Sequence, residues 1–169
     1  MVDSGKKTHR LLFVCTGNTC RSVMAEHLCR KLAKGPIEAA SAGIAASPYF
    51  PVPSAIGRLL EQEGVKDFHH TPALLVESKI NWADFIFVME HSHRRHILEK
   101  FPKAKEKTFL LKKFARDGAD QKVQDGQYEA VEIPFDVADP IGGSQDVYER
   151  CFKEIKKCVK ALLRRLNYA

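Results

Sequence analysis

Between Val14 and Val23 the chain carries Cys15-Thr16-Gly17-Asn18-Thr19-Cys20-Arg21-Ser22, a cysteine and an arginine separated by five small or polar residues. A loop of this composition can turn successive backbone N–H groups inward as a nest for a tetrahedral oxyanion, and a helix starting at its end adds a positive partial charge. The same dipoles, with Arg21, would stabilise the Cys15 thiolate and arm it as a nucleophile at neutral pH. Arg21 offers a bidentate fork to two phosphoryl oxygens. Gly17 is expected to permit close backbone approach, and Asn18 tolerates a left-handed conformation. Thr16, Gly17, Asn18, Thr19, Cys20 and Ser22 are therefore candidate phosphate-binding residues. The Ser22 hydroxyl can hydrogen-bond the thiolate and ease its departure in a second step. The chemistry such residues could perform is phosphoryl transfer to Cys15, which would still need an acid for the leaving group. Asp139, before Pro140, and Asp136 are the candidates, although an aspartate before proline is also an ordinary turn former.

The elements around this loop follow from hydrophobic patterning. Leu11-Leu12-Phe13-Val14 is continuous rather than alternating, which predicts a strand buried on both faces of a parallel sheet. Val23, Met24, His27, Leu28, Lys31 and Leu32 then fall at helical spacing, and Gly35-Pro36 supplies the stop. The rhythm recurs. Ile37 to Ala42 predicts a second strand, Ile56, Leu59, Leu60 and Gly64 a helix with its terminating glycine, and Asp84 to Met89 a third strand. His91 to Lys100 reads as a short helix, Thr108 to Leu111 as a fourth strand, and Ser144 as the N-cap of a long last helix. Alternating strands and helices imply an α/β fold: a three-layer open sheet of about four parallel strands with helices on both faces. Ligands of such sheets bind beyond the strands' carboxyl ends, which is where Cys15 falls. Ala115 to Asp139 breaks the rhythm as a long connection.

A length of 169 residues predicts one domain, here 10–169 behind a flexible N-terminal extension, 1–9. Hydrophobic residues make up 44% and charged residues 28%, an ordinary globular composition that excludes disordered and collagen-like classes. Five cysteines are an odd and sparse set, so a disulfide scaffold is not expected and a reducing, cytoplasmic compartment is. The apolar run after the basic N-terminus is too short for a signal peptide, and no run reaches the length of a membrane span. The net charge of +6 favours anionic partners without naming them. His91, His93 and His96 are expected at the surface, since no cysteine or carboxylate completes a ligand pattern with them, and neither metal nor other cofactor is expected.

Val14 to Glu26, VCTGNTCRSVMAE, resembles the phosphate-binding loop of the low-molecular-weight protein tyrosine phosphatases. Ala40-Ser41-Ala42-Gly43, and Asp139-Pro140 followed by Gly142-Gly143 and a long last helix, are similar to that family's other landmarks, so the likeness covers most of the chain. It implies Cys15 as nucleophile, Arg21 as phosphate clamp, and Asp139 as general acid and later general base. It implies that Asn18 and Ser41 hold the loop, with His70 joining that network. It also implies a reversible Cys15–Cys20 disulfide, with Cys20 as a mere packing residue the alternative.

Thr19 stands where tyrosine-specific members usually carry an aliphatic residue, and here the sequence resembles the family's bacterial protein-arginine phosphatases. Ile141 and Gly142 follow Asp139-Pro140 where tyrosine-specific relatives place aromatic residues. Tyr128 and Phe135, in the long connection, could restore an aromatic wall, and Val23 departs from the family's usual proline. The resemblance implies phosphorylated protein substrates, with phosphoarginine ahead of phosphotyrosine. Two other classes remain open at this point. Arsenate reductases share a related loop but need relay cysteines. Cys151 and Cys158 lie about 10.5 Å apart along one helix, beyond disulfide reach, so these two and Cys29 are expected to be packing. A nucleic-acid-binding module is the non-enzymatic alternative, motivated by Lys103, Lys105, Lys107, Lys112 and Lys113. It is disfavoured because no nucleic-acid motif accompanies them.

Overall fold

The apolar runs become the buried strands of one parallel sheet in the computed structural model, which describes residues 7–118 and 133–169. The order of elements is β1 (His9–Cys15), α1 (Arg21–Leu32), β2 (Ile37–Gly43), α2 (Ser54–Gln62), α3 (Glu77–Trp82), β3 (Phe85–Val88), α4 (His91–Lys100), a 3₁₀ turn (Pro102–Lys107), β4 (Thr108–Leu110), α5 (Leu111–Asp117), a second 3₁₀ turn (Ile133–Phe135) and α6 (Gln145–Arg165). The sheet runs β2-β1-β3-β4 with every neighbouring pair parallel. Chain direction across the sheet reverses between β1 and β3, so the loops leaving these two strands flank the crevice where such folds bind ligands.

Alternation along each strand divides the core in two. Leu11 and Phe13 of β1 and Phe87 of β3 face the layer that holds α1, α2, α5 and α6. Leu12, Val14, Ile86 and Val88 face Ile80 of α3 and Ile97 of α4. Leu11, Leu12, Phe13 and Val14 have no exposed surface, and each contributes roughly 1.5–3 kcal/mol by leaving water. Phe85, Phe87, Phe109 and Phe114 pack ring against ring under α5. The apolar stripe of α6, with Tyr148, Phe152, Ile155, Val159 and Leu162, closes this layer against the sheet's helices. Cys29, Cys151 and Cys158 are buried free thiols within it. Burial pushes the thiols up to about 12, 12 and 11 respectively, which suits packing and not an electron relay.

Several elements differ from the sequence reading. The helix α3 was not anticipated, because Glu77 to Trp82 is short and only Ile80 is buried. Leu111 begins α5 rather than ending β4. The long connection is therefore shorter than expected at its start, since 111–117 is helical. Its central part, 119–132, which includes Tyr128, lies outside the described residues. Ser144 occupies the N-cap of α6, but its side chain makes no capping bond; its carbonyl accepts from the Val147 and Tyr148 amides instead. His9, placed by the sequence reading in the extension 1–9, is the first residue of β1, and Tyr168 donates to the Lys7 carbonyl at 2.9 Å. Residues 1–6 lie outside the described set.

Candidate active site

The loop 15–22 turns from the end of β1 into α1, with Cys20 at the helix N-cap. Two backbone features permit it. Asn18 is left-handed at φ 54°, as its residue type allows. Gly43, at the end of β2, backs directly onto the loop: a Cβ there would lie 2.4 Å from the Thr16 carbonyl oxygen and 2.8 Å from the Asn18 nitrogen. The close approach expected at Gly17 is thus met at Gly43, because a Cβ on Gly17 would have only ordinary contacts with Thr19.

Asn18 is the hub that fixes the loop. Its Nδ2 donates to Ser22 Oγ at 2.8 Å and to Ser41 Oγ at 2.9 Å. Its Oδ1 accepts from the Ala73 amide at 2.9 Å and lies 3.1 Å from His70 Nε2. All four bonding positions of the buried amide are filled, which fixes its orientation. Ser41 in turn donates to Glu26. Because Ser22 Oγ accepts from Asn18, its own proton is free for Cys15 Sγ, 2.9 Å away. The structure brings Asn18, Ser41 and His70, which the resemblance named as holding the loop, together, and links them through Ser22 to Cys15.

Arg21 is 1% exposed. Its Nη1 donates to Glu90 and to the Val137 carbonyl at 2.8 Å, and its Nη2 to Asp139 Oδ2 at 3.2 Å. Of five guanidinium hydrogens, these bonds engage three, leaving Nε–H and one Nη2–H as a side-on fork for two phosphoryl oxygens. Burial works against its charge, yet Cys15, Asp139 and Glu90 together hold Arg21 above the usual arginine range. Burial likewise opposes the Glu90 charge, but the Arg21 bond holds its carboxyl below the ordinary value. Asp139 stands at the rim, its Oδ1 accepting from the Ile141 amide at 3.1 Å. Asp136 is engaged elsewhere: it accepts from the His91 amide and meets the His91 ring, each at 2.8 Å. Cys20 is a free, buried thiol beside Thr19, and burial pushes it up to about 11.

A cleft of about 520 Å³ opens over the loop, with Cys15, Arg21, Thr19, Asp139 and Ile141 in its lining. Phe50, Pro51 and Pro53 form one wall, which the sequence reading missed. It also missed Glu90 and His93. His93, expected at the surface, is 1% exposed. Its Nδ1 accepts from the Glu90 amide at 3.1 Å, so its Nε2 carries the proton and donates to Thr16 Oγ1 at 2.9 Å. Burial, then Arg21, push the ring down to about 4, so it is neutral at pH 7. The signal for both residues was available: β3 ends at the same sheet edge as β1, and Glu90 and His93 stand at the N-cap and N3 positions of a capping box that opens α4.

A thiol on a strand-to-helix loop, an arginine fork beside it and a carboxylate at the rim of the same cleft, all at the carboxyl ends of parallel strands, define a cysteine-dependent phosphatase. Residues 10–169 match the profile of the family described as low molecular weight phosphotyrosine protein phosphatase, and the chain belongs to that family. It is 35% identical over 159 residues to a protein-arginine-phosphatase of Geobacillus stearothermophilus, covering 94% of this chain and 97% of that one. The solved YwlE arginine phosphatase from the same organism has a TM-score of 0.79 at 34% identity, over 94% of this chain and 93% of the other. A YwlE arginine phosphatase mutant with a phosphorylated active-site serine has a TM-score of 0.76 at 29% identity, covering 94% and 95%. A probable low molecular weight protein-tyrosine-phosphatase, EpsP of Ralstonia solanacearum, is 30% identical over 157 residues, or 93% of this chain and 95% of that one. Among the described residues, no helix is long and apolar enough to cross a membrane.

Proposed function

We propose that this chain is a cytoplasmic protein phosphatase that hydrolyses phosphorylated side chains through a phosphocysteine on Cys15 and acts on phosphoarginine in preference to phosphotyrosine. The observation that carries the reading is the convergence of Cys15, Arg21 and Asp139 on one cleft. In the first step Cys15 Sγ attacks phosphorus in line, an S–P bond forms, and the P–N or P–O bond to the substrate breaks. The departing atom takes a proton from Asp139. Arg21 and the loop amides stabilise the equatorial oxygens as charge develops. In the second step the Asp139 carboxylate takes a proton from water, the water oxygen attacks phosphorus, and the S–P bond breaks. The electron pair returns to Cys15 as a thiolate that Ser22 stabilises. The balance of atoms and protons needs no metal, and the +6 charge assists capture of phosphorylated proteins.

Thr19 and Ile141 support the arginine preference. A hydroxyl in the cleft can orient a guanidinium or the attacking water, where a methyl group cannot, and Ile141 stands where an aromatic residue would flank a phenyl ring. The similarity to proteins named as arginine phosphatases points the same way. Phe50 provides an apolar wall that a phenyl ring could also use, so the direct test is a comparison of kcat/KM on phosphoarginine and phosphotyrosine peptides of one sequence. A higher value on phosphoarginine, inverted or levelled by Thr19→Ile, is expected. A preference for phosphotyrosine that Thr19→Ile leaves unchanged would overturn the arginine assignment while leaving the phosphatase reading intact.

A further inference from the structure

One cluster behind the phosphate loop is not explained by phosphatase chemistry. Glu26 and His27 lie on α1 and His70 on the connection between α2 and α3, and one ligand atom from each lies within 4.8 Å of the other two. His27 Nε2 is shut off from solvent and has no hydrogen-bond partner among the described residues. A buried ring nitrogen without a partner has given up its bond to water and gained none, so it requires an explanation.

The hydrogen bonding around His70 sharpens the point. Asn18 spends both Nδ2 hydrogens on Ser22 and Ser41, so the atom it turns to His70 Nε2 is its carbonyl oxygen, and Nε2 must carry the proton. In the neutral ring Nδ1 then presents a lone pair toward Glu26 Oε2, 4.0 Å away. The His70 lone pair, the unpartnered His27 Nε2 and a carboxylate therefore converge, and the cation already there, Arg30, is bound to the other oxygen, Oε1, at 2.7 Å. Two of the three ligands also have outer support: Asn18 behind His70, and Ser41 and Arg30 behind Glu26. Outer hydrogen bonds of this kind orient and fix the tautomer of metal ligands.

We propose that Glu26, His27 and His70 form a binding site for a single zinc ion, held by Glu26 Oε2, His27 Nε2 and His70 Nδ1 with water as the fourth ligand. Two imidazoles and one carboxylate suit zinc, whereas magnesium and calcium require oxygen donors. Tetrahedral bonds of about 2.1 Å place ligand atoms about 3.4 Å apart, so each donor moves by less than about 1 Å to close the shell. The ion would clamp the rear of the loop, because His70 and Ser41 both hold Asn18. The site is separate from Cys15 and does not rest on the phosphatase reading.

The test uses the full chain carrying Cys15→Ser and Cys20→Ser, so that zinc on the loop thiols cannot be mistaken for this site. Titration calorimetry with zinc should give one ion per chain. Cobalt in its place should give a tetrahedral spectrum without a thiolate charge-transfer band. Adding His27→Ala, or His27→Gln to keep the side-chain volume beside Phe68, should weaken zinc binding by at least about tenfold. No binding, binding unchanged in both His27 variants, or a thiolate band would each overturn the proposal. The cobalt spectrum decides even if neither His27 variant folds.

Discussion

Replacing His93 by glutamine isolates a stability effect that the structure places on one buried ring. Glutamine keeps an N–H donor for Thr16 and an acceptor for the Glu90 amide but cannot titrate. The groups facing His93 are Arg21, Glu90, Asp136 and Asp139, and burial outweighs the three carboxylates, lowering the ring from 6.5 to about 4. Between these values the unfolded chain binds a proton that the folded chain refuses, so stability falls as pH drops below about 6.5 and the loss is complete below about 4. At pH 7 the effect is about 0.2 kcal/mol, and at pH 5 it is about 2 kcal/mol, from the two titration curves. His27 and His70 are also lowered by burial, so they contribute in the same direction and the wild type alone does not isolate His93. The difference between wild type and His93→Gln does. Urea unfolding at pH 7, 6 and 5 should show the wild type losing about 2 kcal/mol more than the variant, or roughly 4–8 °C in Tm for a chain of this length. Parallel curves, or a wild type that gains on the variant as pH falls, would refute the reasoning.

Three other substitutions probe the loop and its clamp. Glu90→Gln removes the charge that anchors the Nη1 edge of Arg21, and steady-state kinetics should show kcat/KM reduced about tenfold or more by misplacement of the fork; an unchanged value would remove Glu90 from the site. Ser22→Ala deletes the donor to Cys15, and pre-steady-state kinetics should show release from the cysteine slowed more than its phosphorylation, by about tenfold. Equal slowing of both steps contradicts that role. Gly43→Ala drives a methyl group into the Thr16 carbonyl and should cost about 1–3 kcal/mol in denaturant unfolding, together with activity; a variant as stable and active as the wild type would show that the loop has room to move.

The strands and the loop were legible because their signals are local. Leu11 to Val14 and Phe85 to Val88 are apolar on both faces, and Cys15 to Ser22 is continuous in sequence. Asp139 could be proposed from its place before Pro140 but not placed, since it reaches Arg21 only through the fold. His93 was misassigned to the surface because a short, polar helix usually lies there; its burial comes from the parallel pairing of β1 and β3, which sets the α4 start against Thr16. Phe50 and Pro53 were missed because a connection after β2 carries no periodicity that would aim it at a cleft. Gly43, and not Gly17, proved the residue that must be small, since the contact crosses from β2 to the loop and has no trace in either segment alone.

The most direct test of the central claim is a rapid acid quench of the enzyme with a phosphopeptide, followed by mass spectrometry of the peptide that holds residue 15, on wild type and Asp139→Asn. The account predicts one phosphoryl group on Cys15, formed and consumed within a turnover, and no turnover in Cys15→Ser, where residue 15 stays unmodified or keeps a phosphoryl group that is not consumed. Steady hydrolysis without a phosphorylated Cys15, or turnover that survives Cys15→Ser, would contradict it.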